Sequence, residues 1–188
     1  PMQAVEIAQY VVGCTLAHTR DMRLYAQQQA RAEWQRHPVR QAAQCRIGLL
    51  GFGEVGQAIA RAFAPLEYPV SAWTRSPRGG ASVTTFAGVQ QLPQFLAQTD
   101  VLVCTLPLTP ETRGLLNRET LAQLPRGAYV INVGRGEHVV EPDLKALLDE
   151  GALAGAAMDV FEREPPLPDN WVWTHPQVTA TPHIAAQA

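Results

Sequence analysis

The glycine-rich segment GFGEVG, residues 51–56, constrains the fold of this chain more than any other stretch. It directly follows the apolar run RIGLL, residues 46–50, and precedes a segment in which Val55, Ile59 and Phe63 recur at helical spacing. A glycine-rich turn between a buried strand and a helix is typical of the first strand-helix-strand unit of a parallel sheet.

The alternation of strand and helix continues along the rest of the chain. Short apolar runs predict strands over 46–50, 69–73, 100–106, 128–133, 154–161 and 178–182. Helical spacing predicts helices over 4–35, after the glycine segment, over 89–98, over 118–124 and over 140–148. We therefore predict an α/β fold, a Rossmann-type doubly wound parallel sheet over 41–188, preceded by a long helix and a linker over 1–40.

Composition excludes several classes of function. The chain has 188 residues, 46% of them hydrophobic, which is enough for one substantial core. The net charge is −2 and the basic residues are scattered, so neither a nucleic acid nor an anionic membrane is an expected partner. Cys14, Cys45 and Cys104 lie far apart, which predicts neither a disulfide framework nor a metal site. No signal peptide or membrane-spanning run is evident, so we expect a cytoplasmic protein.

The glycine segment satisfies the pattern GxGxxG, and each glycine has a physical role in dinucleotide binding. Gly51 allows the tight turn, Gly53 lets a pyrophosphate approach the backbone, and Gly56 lets helix and strand pack closely. The N–H groups of the following residues, including Glu54 and Val55, would bind the diphosphate together with the helix dipole. A plain tight turn is the alternative, and the strand before and helix after favour dinucleotide binding.

The segment WTRSPR, residues 73–78, follows the second predicted strand and contains no acidic residue. An acid at this position binds the adenosine ribose hydroxyls of NAD, but it would repel a 2′-phosphate. Arg75, helped by Thr74, Ser76 and Arg78, would instead pair with that phosphate through charge-assisted hydrogen bonds. The sequence therefore predicts NADP(H) in preference to NAD(H), with a solvated turn carrying incidental arginines as the alternative.

Polar residues follow each of the last three predicted strands. They occur in the segments INVGRGEHVVEPDL (131–144), AMDVFEREPPLP (157–168) and TATPHIA (179–185). Ligands of open parallel sheets bind beyond the carboxyl ends of the strands, so we expect Arg135, Asp159, Glu164 and His183 to converge there.

Together with GFGEVG, these segments strongly resemble the D-isomer-specific 2-hydroxyacid dehydrogenase family, in particular its glyoxylate/hydroxypyruvate reductase A type. The family segments NxxRG, DVFxxEP and TPHxA occur here in that order. The stretches WTRSPR, TLPLTPETRGLLN and LPRGAYVINVGRGEHVVEPDL look like the reductase A group, and the resemblance covers nearly the whole chain. It implies a reductase that transfers hydride from NADPH to a small 2-keto acid such as glyoxylate or hydroxypyruvate.

The resemblance implies that Arg135, Glu164 and His183 are catalytic, and their chemistry suits that role. The Arg135 guanidinium offers a planar fork for the carboxylate and oxo groups, and His183 would be the proton donor. Glu164 would hold the imidazole and favour its protonated form. Each residue taken alone has a structural alternative, while His138 and His175 have no matching role and are expected to be surface or structural residues.

Further cofactor contacts follow from the same resemblance. Asp159 would position the nicotinamide carboxamide or ribose. Leu106 and Pro107 would line the nicotinamide edge of the pocket and Thr112 would lie near the diphosphate, although a role as strand end and loop is a serious rival. The resemblance also implies that Val133 and Gly134 bind the cofactor.

The N-terminal helix resembles the interdomain and dimer-contact helix of the family, which predicts a homodimer; packing on its own sheet is the alternative. The chain starts at Pro1 and is expected to be a piece of a longer protein that lacks most of the substrate domain. We therefore expect it to bind cofactor but to turn over 2-keto acids very poorly by itself.

Two other functions stay open at this stage. The first is a different 2-keto acid specificity within the same family, because specificity residues lie mostly in the substrate domain. The second is a nucleotide-sensing or corepressor-type protein that keeps this fold and works through partner binding.

Overall fold

A computed structural model describes residues 2–187, which form a seven-stranded sheet with every neighbouring pair of strands parallel. The strands are β1 Ile47–Leu50, β2 Val70–Thr74, β3 Thr84–Ala87, β4 Val101–Cys104, β5 Ala128–Asn132, β6 Leu153–Met158 and β7 Val178–Ala180. The α-helices are α1 Met2–Thr19, α2 Met22–Ala30, α3 Glu54–Phe63, α4 Gly88–Ala97, α5 Arg118–Leu121 and α6 Glu141–Asp149. The predicted doubly wound α/β fold is confirmed.

Helices cover both faces of the sheet because the strands are apolar on both. Leu50 and Leu102 join the core on the face covered by α4, α5 and α6. Leu49 and Val103 point the other way and pack in the core beneath α1 and α3. Successive side chains of a strand alternate between faces, so strands buried on both sides read as continuous apolar runs.

The strand order β3-β2-β1-β4-β5-β6-β7 reverses direction between β1 and β4. From β1 the chain builds outward to β3 and then crosses back to start the other half at β4. A reversal of this kind opens a crevice at the carboxyl edge of the sheet, between the loops that follow β1 and β4. The predicted site residues lie at or just beyond the carboxyl ends of strands, so they are gathered at this edge. Within residues 2–187, no helix has both the length and the apolar character needed to cross a membrane.

The prediction of one helix over 4–35 is wrong. The chain forms α1 and α2, separated at Asp21, whose φ of 52° lies in the left-handed region that a short polar side chain tolerates. The second helix ends at Ala30, and Gln28 is its one buried residue. A segment rich in helix formers but without an apolar stripe has little packing to extend it.

The strand β3 was not predicted, and several predicted strands are too long. The residues of β3 are only partly buried and lack clear alternation, so pairing with β2 is what makes them a strand. The strands predicted to end at 106, 161 and 182 end at Cys104, Met158 and Ala180. Beyond those residues the chain leaves the sheet to form the loops that carry the candidate site, and α5 likewise ends at Leu121 rather than 124.

Asp100 connects chain segments at the opposite edge of the sheet, where the strands begin. Its buried carboxylate accepts hydrogen bonds from the Arg46 backbone N–H at 2.8 Å and from Arg46 Nε at 2.9 Å, and it lies 3.2 Å from Arg40 Nη2. Burial by itself raises the pKa of this carboxyl, but the hydrogen bonds from Arg46 and the charges of Arg40 and Arg46 together outweigh burial and hold the pKa below its ordinary value. The stabilisation is therefore complete above about pH 3.9 and is lost as the pH falls through the lower folded-state pKa.

Replacing Asp100 by Asn is expected to lower the free energy of unfolding by about 1–3 kcal/mol at neutral pH, because Arg46 and Arg40 lose a charged acceptor that is itself buried. Urea unfolding at neutral and acidic pH checks this, and the difference from wild type should shrink in acid. Asp149→Asn is the control, since Asp149 is exposed and should change stability far less. Equal losses of unfolding free energy in the two variants would contradict the stabilising role of Asp100.

Candidate active site

The glycine turn has the geometry that its sequence pattern predicts. Gly51 has a φ of 102°, and its N–H donates to the Trp73 carbonyl at 2.8 Å. A Cβ on Gly56 would lie 2.5 Å from the Gly51 carbonyl oxygen, so only glycine permits this approach of helix and strand. A Cβ on Gly53 would meet nothing within 4 Å, which leaves open space beside the turn.

The turn leads directly into α3, which begins at Glu54 with Gly53 as its N-cap and no side-chain cap. The first N–H groups of an α-helix have no intrahelical partner and carry the positive end of its dipole. These groups, including that of Val55, lie beside the open space at Gly53. The turn and helix together can therefore hold an anionic diphosphate.

The two arginines of the loop after β2 are arranged differently. Arg75 is exposed, and its guanidinium has no hydrogen bond or ion pair with any residue of the 2–187 range. Arg78 donates to the Phe52 carbonyl and lies over the Phe52 ring, 5.4 Å from its centroid. Thr74 Oγ1 donates to the Ser76 carbonyl at 2.7 Å and so shapes the turn. Arg75 is thus the cation available to a ligand, whereas Arg78 braces the glycine turn.

The loop after β4 lies across the crevice from the glycine turn. Leu106 is almost fully buried and Pro107 is exposed at the rim. Thr112 Oγ1 donates to the Pro107 carbonyl at 2.8 Å and accepts from the Thr109 N–H at 2.8 Å. The Thr112 hydroxyl therefore closes the loop on itself, and its assignment as a diphosphate contact stays a prediction.

Arg135 lies in a tightly held loop after β5. The buried Asn132 side chain accepts from the Gly134 N–H at 3.1 Å and donates to the Arg135 carbonyl at 2.9 Å. The exposed Arg135 guanidinium folds back to donate to the Gly134 carbonyl at 2.9 Å. Sequence reasoning missed Asn132 as a functional support, although it is the first residue of the NxxRG pattern.

The loop of Arg135 packs directly against the loop after β6. A Cβ on Gly136 would lie 1.8 Å from the Phe161 carbonyl carbon, so the two backbones are in contact there. This contact explains why glycine must follow the arginine, and it fixes Arg135 beside the loop that carries Glu164.

His183 and Glu164 form the central pair of the site. His183 Nδ1 lies 2.7 Å from Glu164 Oε2, and Glu164 Oε1 accepts from the Phe161 N–H at 3.0 Å. The His183 side chain is half exposed, at 50%, so its other ring nitrogen, Nε2, is open to a ligand. His183 has a φ of 55°, a costly conformation for a histidine that persists only when the surroundings enforce it.

Asp159 enforces that conformation. Its carboxylate is 1% exposed and accepts from Thr181 Oγ1 at 2.7 Å, the Ile184 N–H at 2.8 Å and the Ala185 N–H at 2.9 Å. The Asp159 carbonyl accepts from the His183 N–H at 2.9 Å. Because the carboxylate is fully engaged within the protein, Asp159 supports the His183 loop, and its predicted contact with the nicotinamide stays a prediction.

The structure brings the predicted catalytic residues onto three neighbouring strand ends, those of β5, β6 and β7. Glu164 and His183 are in contact, whereas among residues 2–187 Arg135 makes no hydrogen bond or ion pair with either of them. An apolar pocket of about 280 Å³ lies beside the pair, with Phe161, Trp173 and Pro182 in its wall, and sequence reasoning had no signal for it. Val133 is half-buried and Gly134 buried, as expected for the base of a crevice.

Comparison with known proteins agrees with this geometry. Residues 12–185 match the family model described as D-isomer specific 2-hydroxyacid dehydrogenase, NAD binding domain. The whole chain superposes with a TM-score of 0.95 and 42% identity on a D-isomer specific 2-hydroxyacid dehydrogenase of Xanthobacter autotrophicus Py2, crystallised with NADPH and MES, and it covers 78% of that chain.

Two further structures are similar over all of this chain. The NADPH-dependent glyoxylate/hydroxypyruvate reductase of Sinorhizobium meliloti is 38% identical, with a TM-score of 0.96 and 96% of that chain covered. The phosphoglycerate dehydrogenase of Lactobacillus plantarum is 27% identical, with a TM-score of 0.94 and 61% of that chain covered. The chain belongs to the D-isomer-specific 2-hydroxyacid dehydrogenases, of which it forms the NAD-binding domain.

Proposed function

We propose that this chain is the cofactor-binding part of an NADPH-dependent reductase that converts a small 2-keto acid, such as glyoxylate or hydroxypyruvate, to the 2-hydroxy acid. The observation that carries the proposal is the 2.7 Å contact between His183 Nδ1 and Glu164 Oε2 at the carboxyl edge of the sheet. A carboxylate that holds an exposed imidazole in this way creates a proton donor, which carbonyl reduction requires.

Each residue of the site has a distinct task in this reaction. The GFGEVG turn and the start of α3 would hold the diphosphate, and the bound nicotinamide supplies the hydride. His183 Nε2 delivers the proton to the carbonyl oxygen, while Glu164 orients the ring through its contact with Nδ1. The Arg135 guanidinium exchanges its bond to the Gly134 carbonyl for the substrate carboxylate and oxo groups.

The NADP(H) preference rests on Arg75. No acidic residue follows β2, so nothing in that loop would repel a 2′-phosphate. The Arg75 guanidinium is exposed and without a partner in the 2–187 range, so it can pair with the phosphate without first breaking another contact. The relative from Xanthobacter was crystallised with NADPH, which supports the same choice.

Hydroxypyruvate and glyoxylate are proposed over other substrates because the S. meliloti relative is a reductase of both. The L. plantarum relative has the same fold and a different name, so fold alone does not choose the substrate. A nucleotide-sensing protein is the third candidate, and the intact Arg135, Glu164 and His183 favour an enzyme. The cytoplasmic location stays a prediction.

We also propose that the chain by itself is a poor catalyst. His183 and Glu164 are 50% and 38% exposed, so water has direct access to the reacting groups. Hydride transfer needs a dry, closed site, which a covering substrate domain would supply.

A homodimer formed through α1 is the proposed assembly. Val5 is 52% exposed, and with Val12 it lines a largely apolar groove between α1 and α3, which also includes Ala58 and Ala62. Apolar surface of this kind is stabilised when a second copy covers it.

Val5→Glu is expected to convert a dimer to a monomer, because it introduces a charge into that groove. Sedimentation velocity measures the change, with Val89→Glu as the control, since Val89 is exposed on α4 on the other face of the sheet. Dissociation by Val89→Glu alone would place the interface elsewhere.

Arg75→Ala is expected to weaken NADPH binding by about ten- to a hundredfold, the effect of losing a charge-assisted hydrogen bond to the 2′-phosphate, and to leave NADH binding unchanged. Fluorescence titration of the chain with both cofactors measures this. Arg126→Ala is the matched control, because Arg126 is an exposed arginine just before β5, at the opposite edge of the sheet. An equal loss of affinity for NADPH and NADH in Arg75→Ala would refute the assignment of Arg75 to the 2′-phosphate.

His183→Asn is expected to lower kcat for hydroxypyruvate by about 10²–10⁴-fold, since it removes the proton donor, while NADPH affinity stays unchanged. The measurement is NADPH oxidation by the full-length protein. His175→Asn is the control, because His175 pairs with Asp149 before β7, at the other end of that strand. Absence of reduction of every 2-keto acid by wild-type protein that binds NADPH tightly would favour the sensor instead.

A further inference from the structure

His138 is a buried histidine that the proposed reaction does not use. It ends the short helical turn Gly136–His138 that directly follows Arg135, and it is 0% exposed. Its imidazole lies between the loop after β5 and the loop after β4. From its sequence context His138 is expected to be a surface or structural residue, and its complete burial excludes the surface.

The imidazole is hydrogen-bonded at both ring nitrogens. Nδ1 lies 2.9 Å from the Arg135 backbone nitrogen, and Nε2 lies 3.3 Å from the Pro107 carbonyl oxygen. A backbone N–H can only donate and a carbonyl can only accept. We assign the ring proton to Nε2, because this neutral tautomer satisfies both contacts at once.

The alternative tautomer fits less well. Nδ1 is also 3.1 Å from the Arg135 carbonyl oxygen, but that oxygen already accepts from Asn132 Nδ2 at 2.9 Å and from the His138 N–H at 3.2 Å, which occupies both of its lone pairs. A proton on Nδ1 would leave the Arg135 N–H without its acceptor and would turn a lone pair of the buried imidazole toward the Pro107 carbonyl. Unsatisfied buried groups are costly, so the surroundings select the tautomer with the proton on Nε2.

The ring is packed tightly against Gly134. A Cβ on Gly134 would lie 2.8 Å from His138 Nδ1, so the ring fills the space that a side chain at position 134 would need. The His138 carbonyl accepts from the Leu116 N–H at 2.9 Å, which anchors its backbone to a third segment. Its position therefore fixes the positions of its hydrogen-bond partners.

The two hydrogen-bond partners of His138 lie in segments with different tasks in the proposed reaction. Arg135 is the proposed cation for the substrate, and Pro107 is predicted to line the nicotinamide edge. One imidazole thus spans the distance between the segment that orients the substrate and the segment that orients the cofactor ring. A small change in this distance misaligns the reacting groups and lowers the rate of hydride transfer.

We propose that His138 is a positioning residue for hydride transfer. Its neutral imidazole sets the separation of the Arg135 backbone from the Pro107 loop, and through that separation it aligns the substrate carbonyl with the nicotinamide. The proposal rests on the proposed reductase function and concerns a residue that touches neither substrate nor cofactor.

Three substitutions separate the two contacts. In His138→Asn the side-chain carbonyl oxygen takes the place of Nδ1 and can still accept from the Arg135 N–H. In His138→Gln the amide group reaches the place of Nε2 and can still donate to the Pro107 carbonyl. His138→Leu keeps the bulk and neither hydrogen bond, and His175→Leu is the control at a histidine outside the site.

The experiment measures kcat for hydroxypyruvate, NADPH affinity and urea unfolding for each variant of the full-length protein. We expect His138→Leu to lower kcat by about ten- to a hundredfold, with a much smaller loss of NADPH affinity. His138→Asn should recover more of kcat than His138→Gln, because it restores the shorter contact, the one made to Arg135 itself. The control should match wild type in kcat and in NADPH affinity.

Other results would overturn the inference. If His138→Leu keeps the wild-type kcat, the imidazole does not position the reacting groups. If His138→Leu does not fold, the Asn and Gln variants decide. Equal kcat values for these two variants, with losses no larger than their lower free energies of unfolding explain, would reduce His138 to a structural residue. An inactive wild-type protein would instead refute the proposed function itself, which the wild-type assay reveals before any variant is compared.

Discussion

Parallel pairing of all seven strands is the constraint on which the position of the site depends. Parallel neighbours need a crossover connection, so helices must cover the faces of the sheet, and all strands end at the same edge. The loops that follow the strands therefore all lie along that edge. The glycine turn, the Arg75 loop and the loops of Arg135, Glu164 and His183 are gathered at that edge, while Asp100 ties the strand starts at the other.

Within the site, buried polar side chains hold the loops that exposed side chains use. Asn132, His138 and Asp159 are each at most 1% exposed, and all of their contacts go to the backbone or to other side chains of the site loops. A buried polar group must be satisfied, so each contact removes freedom from its loop. Asp159 goes further, because it maintains His183 in a left-handed conformation that a histidine rarely adopts.

The network reaches beyond the sheet to the first helix. The Tyr10 hydroxyl lies 2.6 Å from Thr181 Oγ1, which itself donates to Asp159, so Tyr10 donates to Thr181. Burial raises the pKa of the Tyr10 phenol, which keeps that proton in place. Helix α1 is thereby connected to the loop of His183, in addition to packing against α3 through Ala4, Ala8 and Val11.

Local patterns in the sequence were sufficient for the parallel sheet, the glycine turn and the residues that follow the strands. These features depend on apolar runs, on glycines with a steric reason and on residue chemistry, all of which are local. Tertiary structure alone decided the break at Asp21, the edge strand β3 and the burial of His138, because each depends on partners distant in sequence or on packing. It also decided the position of Arg78: the sequence predicts that Arg78 helps Arg75 at the phosphate, whereas in the structure Arg78 donates to the Phe52 carbonyl and lies over the Phe52 ring.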